Sequence, residues 1–321
     1  MRGTLILLAV AAGCGGSSPA DGTPDDAGVT GGADGSDGAN GGGDGAIPAC
    51  PAGQWCFEPA QSTQSLRAVA AVDPGDVFAV GEGGTILRRR NQAWTAMESG
   101  TTSGLRGVWA ASSSDVWAVG VAGTILHFDG TAWTAKANVT TIDVEAVWGS
   151  SASDVWMVGS RTVLHWNGAQ ITATARPGIL FSITGSGPND VWATGETAYL
   201  QHFDGTWNTV HPGVGGLSFF EIASVGANEL WLSNATPNQE TFHFTGGSWT
   251  PQGTGAVVFQ SVYAAAANDV WGAGGTKVGH WNGAAWTTEQ PAGTSAAFWA
   301  VSGAGPDVWV VGDGGLIAHR F

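Results

Sequence analysis

Between residues 105 and 133 the apolar positions fall into four short runs, at 105–109, 115–119, 124–128 and from Trp133 onward. The second run, Asp115-Val116-Trp117-Ala118-Val119, is apolar on both faces, as in a strand sandwiched between two layers. Gly120-Val121-Ala122-Gly123 separates the second run from the third, and Asp129-Gly130 separates the third from the fourth. Asp-Gly pairs favour the type I′ turns of tight hairpins, so the pattern predicts four short antiparallel strands.

The unit recurs. Its anchor stands at Asp76-Val77-Phe78, Asp115-Val116-Trp117, Asp154-Val155-Trp156, Asp190-Val191-Trp192, Glu229-Leu230-Trp231, Asp269-Val270-Trp271 and Asp307-Val308-Trp309, with spacings of 39, 39, 36, 39, 40 and 38 residues. Asn167-Gly168, Asp204-Gly205 and Asn282-Gly283 repeat the third turn. A period near 40 with four strands per unit is the signature of propeller blades. The last copy stops at Phe321 after its third strand, and the missing fourth strand stands ahead of the first copy as Gly53-Gln54-Trp55. The fold expected is all-β: a seven-bladed β-propeller of four-stranded antiparallel blades over residues 50–321, closed by the N-terminal strand.

Composition agrees with strands and turns, with 52 glycines, 17 tryptophans and 12% charged residues. Net charge is −15, and beyond Cys56 there are still 20 acidic against 10 basic residues. Nucleic-acid binding needs a basic footprint and none exists, the one basic cluster being Arg88-Arg89-Arg90, read as a solvated strand edge.

The N-terminus changes the picture. Arg2 followed by the apolar stretch from Leu5 to Ala12 reads as a signal peptide over residues 1–13, too short to span a bilayer. Ala11-Ala12-Gly13-Cys14 resembles the lipobox of bacterial lipoproteins, and that resemblance implies a lipidated Cys14 as first mature residue. Residues 14–49 form a Gly/Asp-rich tether with little to bury, expected to be disordered. Asp34, Asp37, Asn40 and Asp44 lack the alternating spacing and closing Glu of a calcium loop. Cys50 and Cys56 remain, and export favours their pairing in a disulfide.

The recurring residues read as structure. The anchor tryptophans, and Trp55, Trp94, Trp133, Trp207, Trp249 and Trp286 opening fourth strands, are expected to pack between blades; so are Trp109, Trp148 and Trp299 in first strands. His127, His165, His202, His243, His280 and His319 share one third-strand position, where the first copy has Arg88, and read as repeat packing. The anchor carboxylates read as turn-forming groups bonding nearby backbone N–H. No His-Glu-x-x-His, Gly-x-Ser-x-Gly or nucleotide-binding glycine pattern occurs, so no catalytic residue, metal site or cofactor is assigned.

The unit at 115–133, Asp-Val-Trp-Ala-Val-Gly-x-x-Gly-Thr-Ile-Leu-His-Phe-Asp-Gly-x-x-Trp, resembles the repeats of bacterial surface propeller lipoproteins. It is also similar to the propellers of photosystem II assembly factors and to sialidase-type BNR repeats, and more loosely to tectonin-type lectins. The BNR Asp box appears only shortened, with Asp129 and Trp133 one residue too close and no serine. With two tyrosines and ten basic residues beyond the signal, the sialidase nucleophile and arginine triad have few candidates. The resemblance implies a propeller and leaves the ligand open.

The functional expectation is a non-catalytic, membrane-anchored binding or scaffold propeller of the bacterial cell envelope, exported and lipid-anchored at the outer membrane or cell surface. It is expected to be monomeric, with an unknown protein or glycan partner and no nucleic acid. The alternatives are a lectin for surface polysaccharide, using Trp166 or Trp281, and a glycoside hydrolase or lyase with carboxylates converging in the channel. A binding site is sought where the repeat is broken, at 209–220 and 232–241.

Overall fold

The structure is a computed structural model that describes residues 51–136, 139–213, 218–234, 240–254 and 257–321. A compact unit spans Ile47–Phe321. In chain order its strands are β1 (Cys56–Phe57), β2 (Leu66–Asp73), β3 (Asp76–Gly81), β4 (Ile86–Arg90), β5 (Ala93–Met97), β6 (Leu105–Ser112), β7 (Asp115–Gly120), β8 (Ile125–Phe128), β9 (Trp133–Ala135), β10 (Val144–Ser151), β11 (Asp154–Trp166), β12 (Ile171–Gly187) and β13 (Asp190–Gly195). They continue as β14 (Leu200–Phe203), β15 (Trp207–Val210), β16 (Phe219–Gly226), β17 (Glu229–Asn234), β18 (Glu240–Thr245), β19 (Ser248–Gly253), β20 (Ser261–Ala266), β21 (Asp269–Gly274), β22 (Lys277–Trp281), β23 (Trp286–Glu289), β24 (Phe298–Ala304), β25 (Asp307–Gly312) and β26 (Ile317–Arg320).

These strands form six sheets, and this corrects the expected count of seven separate four-stranded blades. Five sheets are four-stranded, but β10 through β15 form one six-stranded sheet. Counted by continuous sheets, the propeller has six blades, and the third and fourth sequence repeats share one of them. The cause is local. Gly159-Ser160-Arg161-Thr162 is one residue shorter than Gly120-Val121-Ala122-Gly123-Thr124, so β11 runs through the place where β7 and β8 are separated by a turn. Arg161 takes a φ of 59° at that bend. Nine residues then lead from Ile171 to Leu180, against eleven from Trp133 to Val144. With no slack for a loop, β12 pairs with β11 over its first half and with β13 over its second.

The first strands β2, β6, β10, β12, β16, β20 and β24 neighbour one another in that order, and β24 touches β2, so they surround a central channel. The core lies between neighbouring sheets: Phe78 and Val80 of β3 pack against Leu105, Val116, Leu126 and Trp133 of the next repeat. Six of the seven repeats place a glycine five residues after the anchor carboxylate, where the chain comes too close for a side chain; the fifth repeat has Asn234 there. A Cβ on Gly81, Gly120, Gly159, Gly195, Gly274 or Gly312 would lie 1.9–2.1 Å from the carbonyl oxygen ahead of the adjoining first strand. The backbone there is extended, with φ of −170° at Gly81 and −175° at Gly120, so space rather than dihedral freedom demands glycine.

The N-terminal strand closes the ring. β1 is the outer strand of the last sheet, with Cys56 opposite His319 and Phe57 opposite Ala318. Trp55, just before it, meets Trp271 edge-on at 5.9 Å and donates its Nε1–H to Glu289. Glu58, just after it, reaches into the first repeat: Arg89 donates Nε–H and a terminal N–H to its carboxylate at 2.8 and 3.0 Å, and Trp94 donates Nε1–H. His319 Nδ1 lies 3.3 Å away on the last repeat. One carboxylate thus joins the two ends of the chain. Burial pushes its pKa up, but the hydrogen bonds from His319, Arg89 and Trp94 and the charge of Arg89 hold it below the ordinary value.

Arg88 and Arg89 are not a solvated edge. They are 8% and 6% exposed, because β4 is an interior strand covered by β5. Arg88 grips Asp76 through two nitrogens at 2.8 and 2.6 Å, and only Arg90 is exposed.

Candidate functional site

The repeated chemistry decides which polar groups are available. Asp115 and Trp117 lie two residues apart on β7 and therefore share a face, and His127 of β8 stands directly opposite Trp117. The imidazole consequently stacks on the indole and reaches the carboxylate. His127 Nε2 is 2.9 Å from Asp115, and the same contact recurs for His165–Asp154, His202–Asp190, His243–Glu229, His280–Asp269 and His319–Asp307 at 2.6–2.9 Å. The ring centroids stand 3.8–4.5 Å apart. Arg88 and Phe78 replace the pair in the first repeat, with the guanidinium 4.6 Å over the ring. The anchor carboxylates are therefore partners of the third-strand imidazole or, in the first repeat, guanidinium, rather than turn formers. Among the described residues no three His, Cys, Asp or Glu side chains could hold a metal ion together.

The channel holds the remaining polar groups. Its two cavities, about 360 and 150 Å³, share a waist of Val69, Val108, Ile183, Val262 and Val301. Toward the larger cavity stand Trp109, Trp148 and Tyr263, with Thr184, Ser224 and Ser302. Each of those rings lies over a glycine of the next repeat, at Gly149, Gly185 and Gly303, where a Cβ would come within 2.5–2.6 Å. They are packed into the wall.

The smaller cavity has a charged and aromatic rim, because Arg67, Arg106, Glu145, Phe181 and Trp299, which hold one equivalent position near the start of five first strands, line it. Arg67 donates to Glu82 at 2.9 Å while its guanidinium covers Trp299 at 4.5 Å. Trp299 in turn donates its Nε1–H to Asp313 at 2.6 Å. Arg106 bonds Glu145 and lies 3.1 Å from Asp143. Burial works against the charge on Arg106, but Glu145, Asp143 and Glu82 more than offset it and raise its pKa. Deeper, the position after the rim is small in most repeats: Ala68, Gly107, Ala146, Ser182, Ser261 and Ala300. In the fifth repeat it is Glu221, which lines both cavities. Ser182 donates its hydroxyl to one Glu221 oxygen at 2.6 Å. Burial outweighs that bond and pushes the carboxyl up to about 7.

Of the residues assigned from sequence, Cys14 and Cys50 lie outside the described residues, as do 1–13 and the tether to 49. Cys56 opens β1. The two broken-repeat segments are only partly described; 214–217 and 235–239 fall outside. Trp281 is 8% exposed, and Trp166 packs at 5.5 Å from Trp117. Arg67, Arg106, Trp299 and Glu221 were not singled out from sequence. A signal for Glu221 existed: a charge at a first-strand position that is small in the other repeats.

No protein-family model matches this chain, and no curated protein does. Solved structures do match by shape. YCF48 bound to D1 peptide superposes with a TM-score of 0.69 at 15% identity, covering 86% of this chain and 97% of that one. YCF48 from Cyanidioschyzon merolae gives 0.68 at 14% identity over 83% and 98% of the two chains. The WD40 β-propeller domain of Doa1 gives 0.69 at 14% identity over 83% and 96%. At these identities the likeness is one of fold, and the fold it establishes is a β-propeller.

Proposed function

We propose that this chain is a non-catalytic binding or scaffold propeller that holds a protein partner at the charged, aromatic rim of its channel. The observation that carries this reading is the state of the polar groups. The repeated acids and imidazoles are committed to one another, while Arg67, Trp299, Arg106 and Glu145 ring a cavity. Among the described residues the carboxylates lining the two cavities are Glu145, bound by Arg106, and Glu221, which gives glycoside chemistry no free pair of opposed carboxyls there. One propeller of the same fold is YCF48 bound to D1 peptide, which favours a polypeptide over a polysaccharide. The lectin alternative relied on Trp166 and Trp281; Trp281 is buried, and the half-buried Trp166 packs against Trp117 and has the Lys136 ammonium 5.0 Å over its ring.

The cellular part of the proposal rests on the sequence. Residues 1–13 direct export, Cys14 carries lipid, 14–49 tether a monomeric propeller to the outer membrane or cell surface, and Cys50 pairs with Cys56. A peptide array probed with the full chain and with Arg67→Ala tests the binding reading. Peptides lost in the variant support it; an array with no bound peptide overturns it. Fractionation of cells expressing wild type and Cys14→Ser tests the anchor, which fails if the wild type is wholly soluble.

A further inference from the structure

Among the described residues, Glu221 lines both cavities of the channel with no cationic partner for its carboxyl. Among the described residues its carboxyl has one hydrogen-bond donor, the Ser182 hydroxyl, which occupies one oxygen. The Glu221 backbone N–H donates to Ser233 Oγ at 3.1 Å, which fixes the strand and leaves the carboxyl untouched. The arginines that share the small cavity are taken, Arg67 by Glu82 and Arg106 by Glu145 and Asp143. Of the other charged or titratable groups lining the channel, Glu145 is the partner of Arg106, and Tyr263 has its pKa raised by burial. Counting the partners of the rim residues and Glu221 beneath them, five carboxylates, Glu82, Asp143, Glu145, Asp313 and Glu221, stand against two guanidinium groups, a field that attracts cations and repels anions.

The wall narrows the choice of cation. Much of the lining that shares the cavity of about 150 Å³ with Glu221 is aliphatic and small, with Ala68, Ala146, Ala300 and the waist of Val69, Val108 and Val301. A guanidinium binds a carboxylate best through a bidentate fork over both oxygens, and here one oxygen already accepts the Ser182 hydroxyl, which weakens that mode. An ammonium is a compact point charge that one oxygen satisfies, on an apolar stem that suits such a wall. We infer that the Glu221 chamber takes a single alkylammonium group, the chemistry of a lysine side chain or of a small free amine. This rests on the proposed binding role and names its chemical determinant.

The full chain is titrated calorimetrically with n-butylammonium and with short peptides carrying lysine, arginine or norleucine at one position, at pH 8.5 and 5.5. With Glu221 titrating near 7 and the alkylammonium near 10, only the upper pH holds both charges. Butylammonium and the lysine peptide bind at pH 8.5 and at least tenfold more weakly at 5.5, and the arginine and norleucine peptides bind at least tenfold more weakly at both. A lysine peptide tighter than butylammonium assigns the chamber to a protein side chain, and equal affinity assigns it to a free amine. Glu221→Gln, isosteric and neutral, loses the binding, and a thermal melt confirms that it is folded. No amine binding by the wild type at pH 8.5, or unchanged binding by Glu221→Gln, overturns the inference. If array peptides still bind Glu221→Gln with wild-type affinity, the inference fails while the binding role stands; an array without any bound peptide removes the role itself.

Discussion

Trp117 and its counterparts show how much one side chain does in this fold. The Trp117 ring is fully buried, lies tilted against His127 with centroids 4.5 Å apart and packs against Val155 and Leu164 of the next repeat. Trp117→Ala is expected to cost about 3–5 kcal/mol, and the half-buried Trp166→Ala clearly less, in chemical denaturation; equal small losses would contradict the packing. Glycines carry the converse constraint. Phe259 occupies the space of two missing side chains, since a Cβ on Gly279 would fall 2.2 Å from its ring and one on Gly272 2.5 Å. Gly279→Ala should therefore destabilise by about 1–3 kcal/mol, and Phe259→Leu should recover part of that in the double variant; strictly additive losses would refute the contact. Glu221 adds a pH signature. Its carboxyl titrates at about 7 when folded and near 4.5 when unfolded, so between those values the folded state binds the extra proton and stability falls as pH rises. Glu221→Gln should be more stable than wild type at pH 8, by up to roughly 3 kcal/mol, with the difference gone below about pH 4.5. Parallel denaturation curves at both pH values check it.

At the scale of elements, the two-residue strand β1 matters more than its length suggests. Without it β26 would be an exposed edge, and bare edges invite pairing with other chains. Losing Glu58 as well would strand Arg89, buried, without its carboxylate, and breaking a buried pair in that way costs about 3–5 kcal/mol. A chain beginning at Ser62 should melt far below one beginning at Pro48 and elute partly as larger species. A monomeric Ser62 chain with an unchanged melting temperature would show that β1 does not close the ring. Glu58 also contributes to acid sensitivity. Its folded pKa lies below the ordinary 4.5, so its contribution is complete above that pH and drains away as pH falls through the folded value. Glu58→Gln should accordingly flatten the acid limb of the stability profile. The fused strands β11 and β12 are the opposite case, in which missing loop residues merge elements that the pattern keeps apart.

For the molecule as a whole, the sheets supply a rigid ring and the first strands supply its chemistry. The −15 net charge and the acidic rim point the same way, toward cationic partners and away from nucleic acid. Association through the rim should weaken with salt, and an affinity unchanged between low salt and about 0.5 M would argue against an electrostatic rim.

Periodicity alone determined that this is a propeller, that the Asp-Val-Trp strands pack between sheets and that the N-terminus completes the last one. Each of those follows from patterns that repeat, and a repeated residue must do a job that every repeat shares. What only the tertiary structure decided is whatever depends on one repeat meeting another. The shortened turn at Gly159 and the nine-residue step to Leu180 were visible as a 36-residue spacing, yet their result, a shared six-stranded sheet, needs the strands in register. Arg89 looked solvated until Glu58, 31 residues earlier, was placed beside it. The channel is the clearest case. Arg67, Arg106, Glu145, Glu221 and Trp299 stand on five different first strands, and only closure of the ring brings them around one cavity.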